Sequence, residues 1–230
     1  MKLKSMKLYD WDFAPNSRRV RMFLLDKDLE IERVECITPK IALNGAFEER
    51  YPHYMVPMLE LEDGTQIGEA LAIWTYLETL HPQPALMGRT ALERATISSW
   101  ERRAYDEGLI GHAEIFRNSH PNFVDRGLPG YHAKVPQIPA LIERGKMRVA
   151  HFYQKFNNQL ADNKFVAGDT FSVADITAIV TVDFGLALTM PIPGSAPHVQ
   201  RWYDEMQKRP SVRESVTKHA PDGTPLPVAA

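Results

Sequence analysis

Residues 165–176 read Phe-Val-Ala-Gly-Asp-Thr-Phe-Ser-Val-Ala-Asp-Ile, and they restrict the fold more than any other stretch of the chain. The Gly168-Asp169 pair breaks the backbone. Ser172 then stands three residues before Asp175, the spacing of a capping box with Asp in place of the usual Glu or Gln. The apolar run from Ile176 to Val182 follows, so the helix that starts here is expected to be buried. A polar cap leading into a buried helix is a folding device, not a catalytic one.

The rest of the chain changes character at residues 81–89, a linker with two prolines. Before it, strand and helix signals alternate. Residues 7–11 fit a short strand, and Pro15-Asn16-Ser17 opens a helix with Val20, Phe23 and Leu24 on one face. Ile31 to Ile37 alternates apolar and charged residues, as a half-buried strand does. Met55 to Leu61 and Thr65 to Ile67 read as strands around an Asp63-Gly64 turn. Glu69 to Leu80 is an amphipathic helix. The order is β-α-β, then β-β-α. After the linker the strand signals stop. Helices are expected over 90–117, 138–160, 172–187 and 196–208, with a loop over 118–137. An α/β half followed by an all-helical half implies two domains: residues 6–82, residues 89–217, and a loose tail over 218–230.

Bulk properties exclude several function classes. Lysine and arginine number 27 against 29 acidic residues, a net charge of −2, so no nucleic-acid partner is expected. No apolar run approaches the roughly 20 residues that span a bilayer, and the N-terminus lacks the apolar core of a secretory signal. A single cysteine rules out an internal disulfide; a cytoplasmic location is the plain reading. Arg18, Arg19 and Arg21 read as a solvated helix face. The histidines show no metal spacing, and no metal site is expected.

The order of elements, with several local motifs, resembles the cytosolic glutathione transferase superfamily. The motifs are Ala-Pro-Asn-Ser-Arg-Arg-Val-Arg at 14–21, Val-Pro-Met-Leu-Glu at 56–60, Asp-Gly at 63–64 and Gly-Glu-Ala-Leu-Ala-Ile at 68–73. The capped segment and Arg-Trp-Tyr-Asp-Glu-Met-Gln-Lys-Arg-Pro-Ser-Val at 201–212 complete the set. The resemblance implies a thioredoxin-like N-terminal domain followed by an all-α helical-bundle domain, a homodimer, and glutathione as co-substrate. It implies a cis Pro57, which turns the backbone of Val56 toward the cysteinyl part of glutathione like an added strand. Glu69 and the amide of Ala70, at a positive helix end, would hold the γ-glutamyl end. Ala70 stands where the family usually has Ser, so that hydroxyl is missing. His53 and Met55 fall where relatives contact the glycyl end. Trp11 and Phe13 are placed to wall the pocket of a small hydrophobic electrophile, with Tyr105 and His112 on the first long helix of the second domain.

The family's chemical task is to make glutathione a thiolate near neutral pH. Lowering a thiol pKa of about 8.5 by two units takes about 2.7 kcal/mol. A helix N-terminus supplies about 0.3–1 kcal/mol, at best about 2. One hydrogen bond to a charged sulfur adds roughly 1.5–3 kcal/mol. A donor is therefore needed, and the usual ones are absent. Ala14 occupies the position of the serine or cysteine activator and Asp12 that of the tyrosine, while Tyr9 and Cys36 lie in strands. Asn16 and Ser17 remain. A Pro-Asn pair here resembles bacterial and fungal members in which Asn contacts the sulfur. The plainer alternative is that either residue merely caps the helix. Two other functions stay open: a glutathione-dependent disulfide reductase or peroxidase, and a non-catalytic binding module that kept the fold but lost the hydroxyls at Ala14 and Ala70.

Overall fold

The computed structural model describes residues 2–35, 55–130 and 133–216. They form two compact units, one of the described residues up to Pro84 together with those from Pro210 on, and one of residues 85–209.

The first unit contains β1 (Lys2–Asp10), α1 (Pro15–Asp26), β2 (Glu30–Glu35), β3 (Met58–Glu60), β4 (Gln66–Gly68) and α2 (Ala70–Leu80). The sheet order is β2-β1-β3-β4. Strands β1 and β2 are parallel, which requires a crossover, and α1 supplies it. The remaining pairs are antiparallel. The turn between β3 and β4 uses Gly64 at φ 83°, a conformation glycine adopts without a Cβ penalty. β1 starts earlier than the expected residue 7, and its register shifts between Leu3 and Lys7. Leu8, Val20, Phe23, Met58, Leu59, Ile73, Trp74 and Leu77 make the core, with Phe23 stacked on Trp74 at 5.9 Å. Cys36 lies outside the described residues.

The expectation of a solvated arginine face fails. Arg19 is 3% exposed and Arg21 6%. Arg21 donates to both oxygens of the buried Asp10 at 2.8 and 3.1 Å and to the Asp12 carbonyl at 2.9 Å. Arg33, on β2, reaches Asp10 at 2.6 Å and Asp12 at 2.6 Å. Arg18 donates to Ser215 Oγ and to the Val212 carbonyl. These bonds explain why residues 210–216, including the short helix Pro210–Glu214, group with the first unit, whereas the sequence reading ran the second domain to residue 217. The partners are distant in sequence, so a local pattern of three arginines carries no sign of them.

The second unit holds α3 (Ala91–Arg103), α4 (Ile110–Ser119), α5 (Ala140–Asp162), α6 (Val173–Ala187) and α7 (Pro197–Met206). The helix expected over 90–117 is interrupted by a π-helical turn at Ala104–Leu109. A Cβ on Gly108 there would stand 2.5 Å from a Thr181 methyl and 3.0 Å from the Phe152 ring, so only glycine permits this approach to α6 and α5. α6 is buried on nearly every side, as its apolar run requires, and its capping box forms. The buried Asp175 carboxylate accepts from the Ser172 amide (3.1 Å) and hydroxyl (3.2 Å), the Val166 amide (2.9 Å) and the Trp202 indole (3.0 Å). Among the described residues no helix is long and apolar enough to cross a membrane.

Candidate functional site

The sheet register gathers the candidate residues of the first unit. Tyr9 pairs with Met58, and Met58 with Gly68. With β3 antiparallel to both neighbours, the chain leaves β1, enters β3 and leaves β4 at one end of the sheet. The segments at that end are 11–17, Val56-Pro57 and Glu69-Ala70. Trp11 and Ala14 pack against the same small cluster as Tyr9, Val56 and Met58. Trp11 and Phe13 stand 5.9 Å apart at 57°, both partly exposed.

The loop before α1 is tied down from several sides. The Ala14 amide donates to the Trp11 carbonyl, and the Trp11 amide to Ser17 Oγ at 3.3 Å. The Arg21 side chain grips Asp10 and the Asp12 carbonyl behind it. Ala14 is the N-cap of α1 and offers no side-chain cap; Pro15 occupies the first turn. Neither Asn16 nor Ser17 is the cap, so the plainer alternative for both falls. The first intrahelical bond is from Arg18 N to Ala14 O, which leaves the Asn16 and Ser17 amides without intrahelical acceptors. Asn16 is partly exposed, and its Oδ1 accepts from Arg19 at 2.9 Å. Ser17 differs from expectation: it is fully buried and its hydroxyl oxygen is engaged by Trp11, so it fastens the loop rather than facing a ligand.

The Val56–Pro57 peptide is cis, as the resemblance implied. Met55 beside it is exposed. Glu69 is exposed and takes φ 64°, unusual for a residue with a Cβ and the kind of backbone strain that collects at ligand sites. The first helical bond of α2 is from Ile73 to the Glu69 carbonyl, so the amides of residues 70–72 lack intrahelical partners. Ala70 itself is buried. His53 and the neighbouring Tyr54 lie outside the described residues. Tyr9 turns its phenol toward Glu60 at 3.4 Å, away from the activator role.

In the second unit, Tyr105 is partly buried in the π-helical turn, with the Arg102 guanidinium 5.5 Å over its ring. His112 is wholly buried on α4 and reaches no surface where a substrate could touch it, contrary to expectation. Its Nδ1 donates to the Gly108 carbonyl at 2.9 Å, and a Cβ on Gly185 would stand 2.6 Å from its Nε2. Burial pushes its pKa down to about 4, with the Gly108 bond opposing, so the ring is a neutral packing group.

The N-terminal domain family of glutathione S-transferases matches residues 8–85, and the C-terminal domain family residues 128–210. Glutathione S-transferase 2 of Saccharomyces cerevisiae is 31% identical over 92% of this chain and 89% of its own length. The crystal structure of Gtt2 from Saccharomyces cerevisiae superposes with a TM-score of 0.79 at 30% identity, covering 91% of this chain and 100% of that one. A class Gtt2 glutathione S-transferase of Vibrio parahaemolyticus gives 0.75 at 30% identity, covering 91% and 96%. This chain belongs to the glutathione S-transferase family. Its architecture is the one that family implies, a thioredoxin-like domain followed by an all-helical one.

Proposed function

We propose that this chain is a glutathione transferase in which the Asn16 side-chain amide, together with the free first-turn amides of α1, steadies the glutathione thiolate. Membership of the family and the 31% identity to a named glutathione S-transferase support the activity. The observation that carries the role of Asn16 is its position in the first turn of α1, partly exposed, with its oxygen already taken by Arg19. The helix end alone gives at best about 2 kcal/mol of the required stabilisation. One charge-assisted hydrogen bond closes that gap. Val56 would hold the cysteinyl backbone, and Glu69 with the free amides of α2 the γ-glutamyl end. Met55 and His53 are assigned to the glycyl end. The thiolate then attacks an electrophilic carbon of a small hydrophobic substrate, for which Trp11 and Phe13 supply an aromatic wall.

The test is an ultraviolet difference titration of bound glutathione, followed by steady-state kinetics. The wild type should show thiolate well below the pH at which free glutathione ionises. Asn16→Ala should lower kcat about tenfold or more while glutathione affinity changes little. An unchanged kcat removes Asn16 from the chemistry. On the same footing we place the protein in the cytoplasm as a detoxifying homodimer. The exposed Leu71 and Leu80 on the outer face of α2 support the association, and light scattering that returned the mass of one chain would refute it.

A further inference from the structure

We infer that Arg19 is a positioning residue for the thiol site: by holding Asn16 Oδ1 it presents the amide nitrogen of Asn16, the donor end, to the sulfur. The inference rests on the reading of Asn16 given above.

A side-chain amide has one acceptor end and one donor end of nearly identical shape, and a half-turn about its last torsion exchanges them. Only the nitrogen stabilises a thiolate; the oxygen would repel it. Something must select the orientation. Arg19 Nη1 lies 2.9 Å from Asn16 Oδ1, one helical turn along the same face of α1. A guanidinium has donors and no acceptor, so it can receive the oxygen and never the NH2 group. Among the described residues, none takes a hydrogen bond from the Asn16 nitrogen, which leaves that end available.

Arg19 is itself fixed. It is buried, and its guanidinium carbon sits 4.7 Å over the Trp74 ring. Trp74 is fully buried and stacked on Phe23. The orientation of the donor therefore descends from the core through Trp74 and Arg19 to Asn16. The cationic partner also polarises the amide and strengthens its N–H groups as donors. A lone surface asparagine would supply neither effect.

The experiment is the thiolate titration on the folded full chain, with Asn16→Ala, Arg19→Met, Asn16→Asp and the Asn16→Ala/Arg19→Met pair. Methionine keeps an apolar stem against Trp74 and removes the donors. Arg19→Met should raise the pKa of bound glutathione by about one unit, a tenfold smaller thiolate fraction at a fixed lower pH. Its glutathione affinity should change less than threefold. The double variant should match Asn16→Ala alone, because Arg19 acts only through Asn16. Asn16→Asp keeps the Arg19 partner and the fold but replaces the donor with a carboxylate oxygen, and should raise the thiol pKa more than Asn16→Ala does. A folded Arg19→Met protein with an unmoved pKa, or additive effects in the pair, overturns the role of Arg19 and leaves that of Asn16 standing. A silent Asn16→Ala overturns both. If Arg19→Met fails to fold, Asn16→Asp decides: a wild-type thiol pKa in that variant defeats the orientation argument.

Discussion

Among the described residues two carboxylates, Asp10 and Asp175, are completely buried, and they are satisfied in opposite ways. Asp10, in the first unit, sits between two guanidinium groups, Arg21 and Arg33. Asp175, in the second, has only neutral donors: two backbone amides, a hydroxyl and an indole. A carboxylate clamped by cations is anchored by charge compensation. One held by dipoles still meets the full cost of leaving water, and burial raises its pKa to about 6 despite four hydrogen bonds. The placement follows the same division. The ionic clamp stands at the root of the loop that leads into α1 and Asn16, where a fixed geometry would serve the chemistry proposed for that residue. The dipolar socket stands at the start of α6, where it organises the scaffold.

Breaking the clamp should have the largest effect. Asp10→Ala leaves Arg21 buried with its carbonyl partners and only the more distant, partly exposed Asp12 carboxylate at 3.8 Å as counter-ion, a loss of about 3 kcal/mol, the low end for a broken buried pair. Urea denaturation measures it, and a loss below about 1 kcal/mol would mean that the carbonyls suffice. The variant should also raise the pKa of bound glutathione, because the Trp11 and Asp12 carbonyls are held by the same Arg21. Asp175→Asn, in contrast, should leave the bound thiol unchanged while lowering stability.

The second prediction uses pH to separate the dipolar socket of Asp175 from a second buried group of the same unit, His112. His112 and Asp175 lie in the same unit and are shifted in opposite senses. His112 falls from an ordinary value near 6.5 to about 4, so the unfolded chain binds the extra proton between those values. Its contribution is whole above about pH 6.5 and is lost as pH falls toward 4. Asp175 rises from 3.8 to about 6. The folded chain binds the extra proton, so stability is whole below about pH 4 and is lost as pH rises through 6. Each amounts to about 3 kcal/mol across its window, and between pH 4 and 6 the two slopes cancel. Asp175→Asn should therefore expose an acid-labile protein. His112→Asn should give one that gains stability on acidification, relative to wild type at each pH. Parallel urea-midpoint curves for all three proteins would show that neither group is coupled to folding.

The same contrast separates what the sequence carried from what it withheld. The Ser172–Asp175 box was legible because its two partners are three residues apart, and the apolar run after it announced the burial. The convergence of 11–17, 56–57 and 69–70 was legible only through the family resemblance carried by the motif at each segment; the sheet order that produces it comes from the structure. The arginines were not. Arg21 finds Asp10 across the β1–α1 turn and Ser215 some 194 residues away, and a local charge pattern cannot show either. Ser17 and His112 were misplaced for a related reason: their chemistry suggested a ligand, while tertiary packing turned one under its loop and the other against Gly185. Arg19 was within reach, since Asn16 and Arg19 stand at the i, i+3 spacing that brings side chains together on a helix.

The smallest predicted effect concerns a second capping box, at Thr90 and Glu93, which is the exposed counterpart of the one at Ser172. The Glu93 amide donates to Thr90 Oγ1 at 3.1 Å, and the Thr90 amide to Glu93 Oε2 at 3.2 Å. The spacing matches the buried box, and in both the N-cap amide donates to the carboxylate three residues on, yet the Glu93 pKa is lowered by the backbone donors Arg89 and Thr90, where that of Asp175 is raised. At this exposed site the two backbone donors outweigh the desolvation cost, and the charged form wins. Thr90→Ala should cost about 1 kcal/mol, the usual effect of losing an N-cap. With the Glu93 pKa below that of the unfolded chain, this box contributes fully above the ordinary glutamate range and weakens on acidification, the reverse of Asp175. Urea midpoints of Glu93→Ala, which removes the titrating carboxylate, and wild type should therefore converge as pH falls below that range. A difference that grew toward acid would show that the exposed and buried boxes respond alike, and that burial does not set the sign.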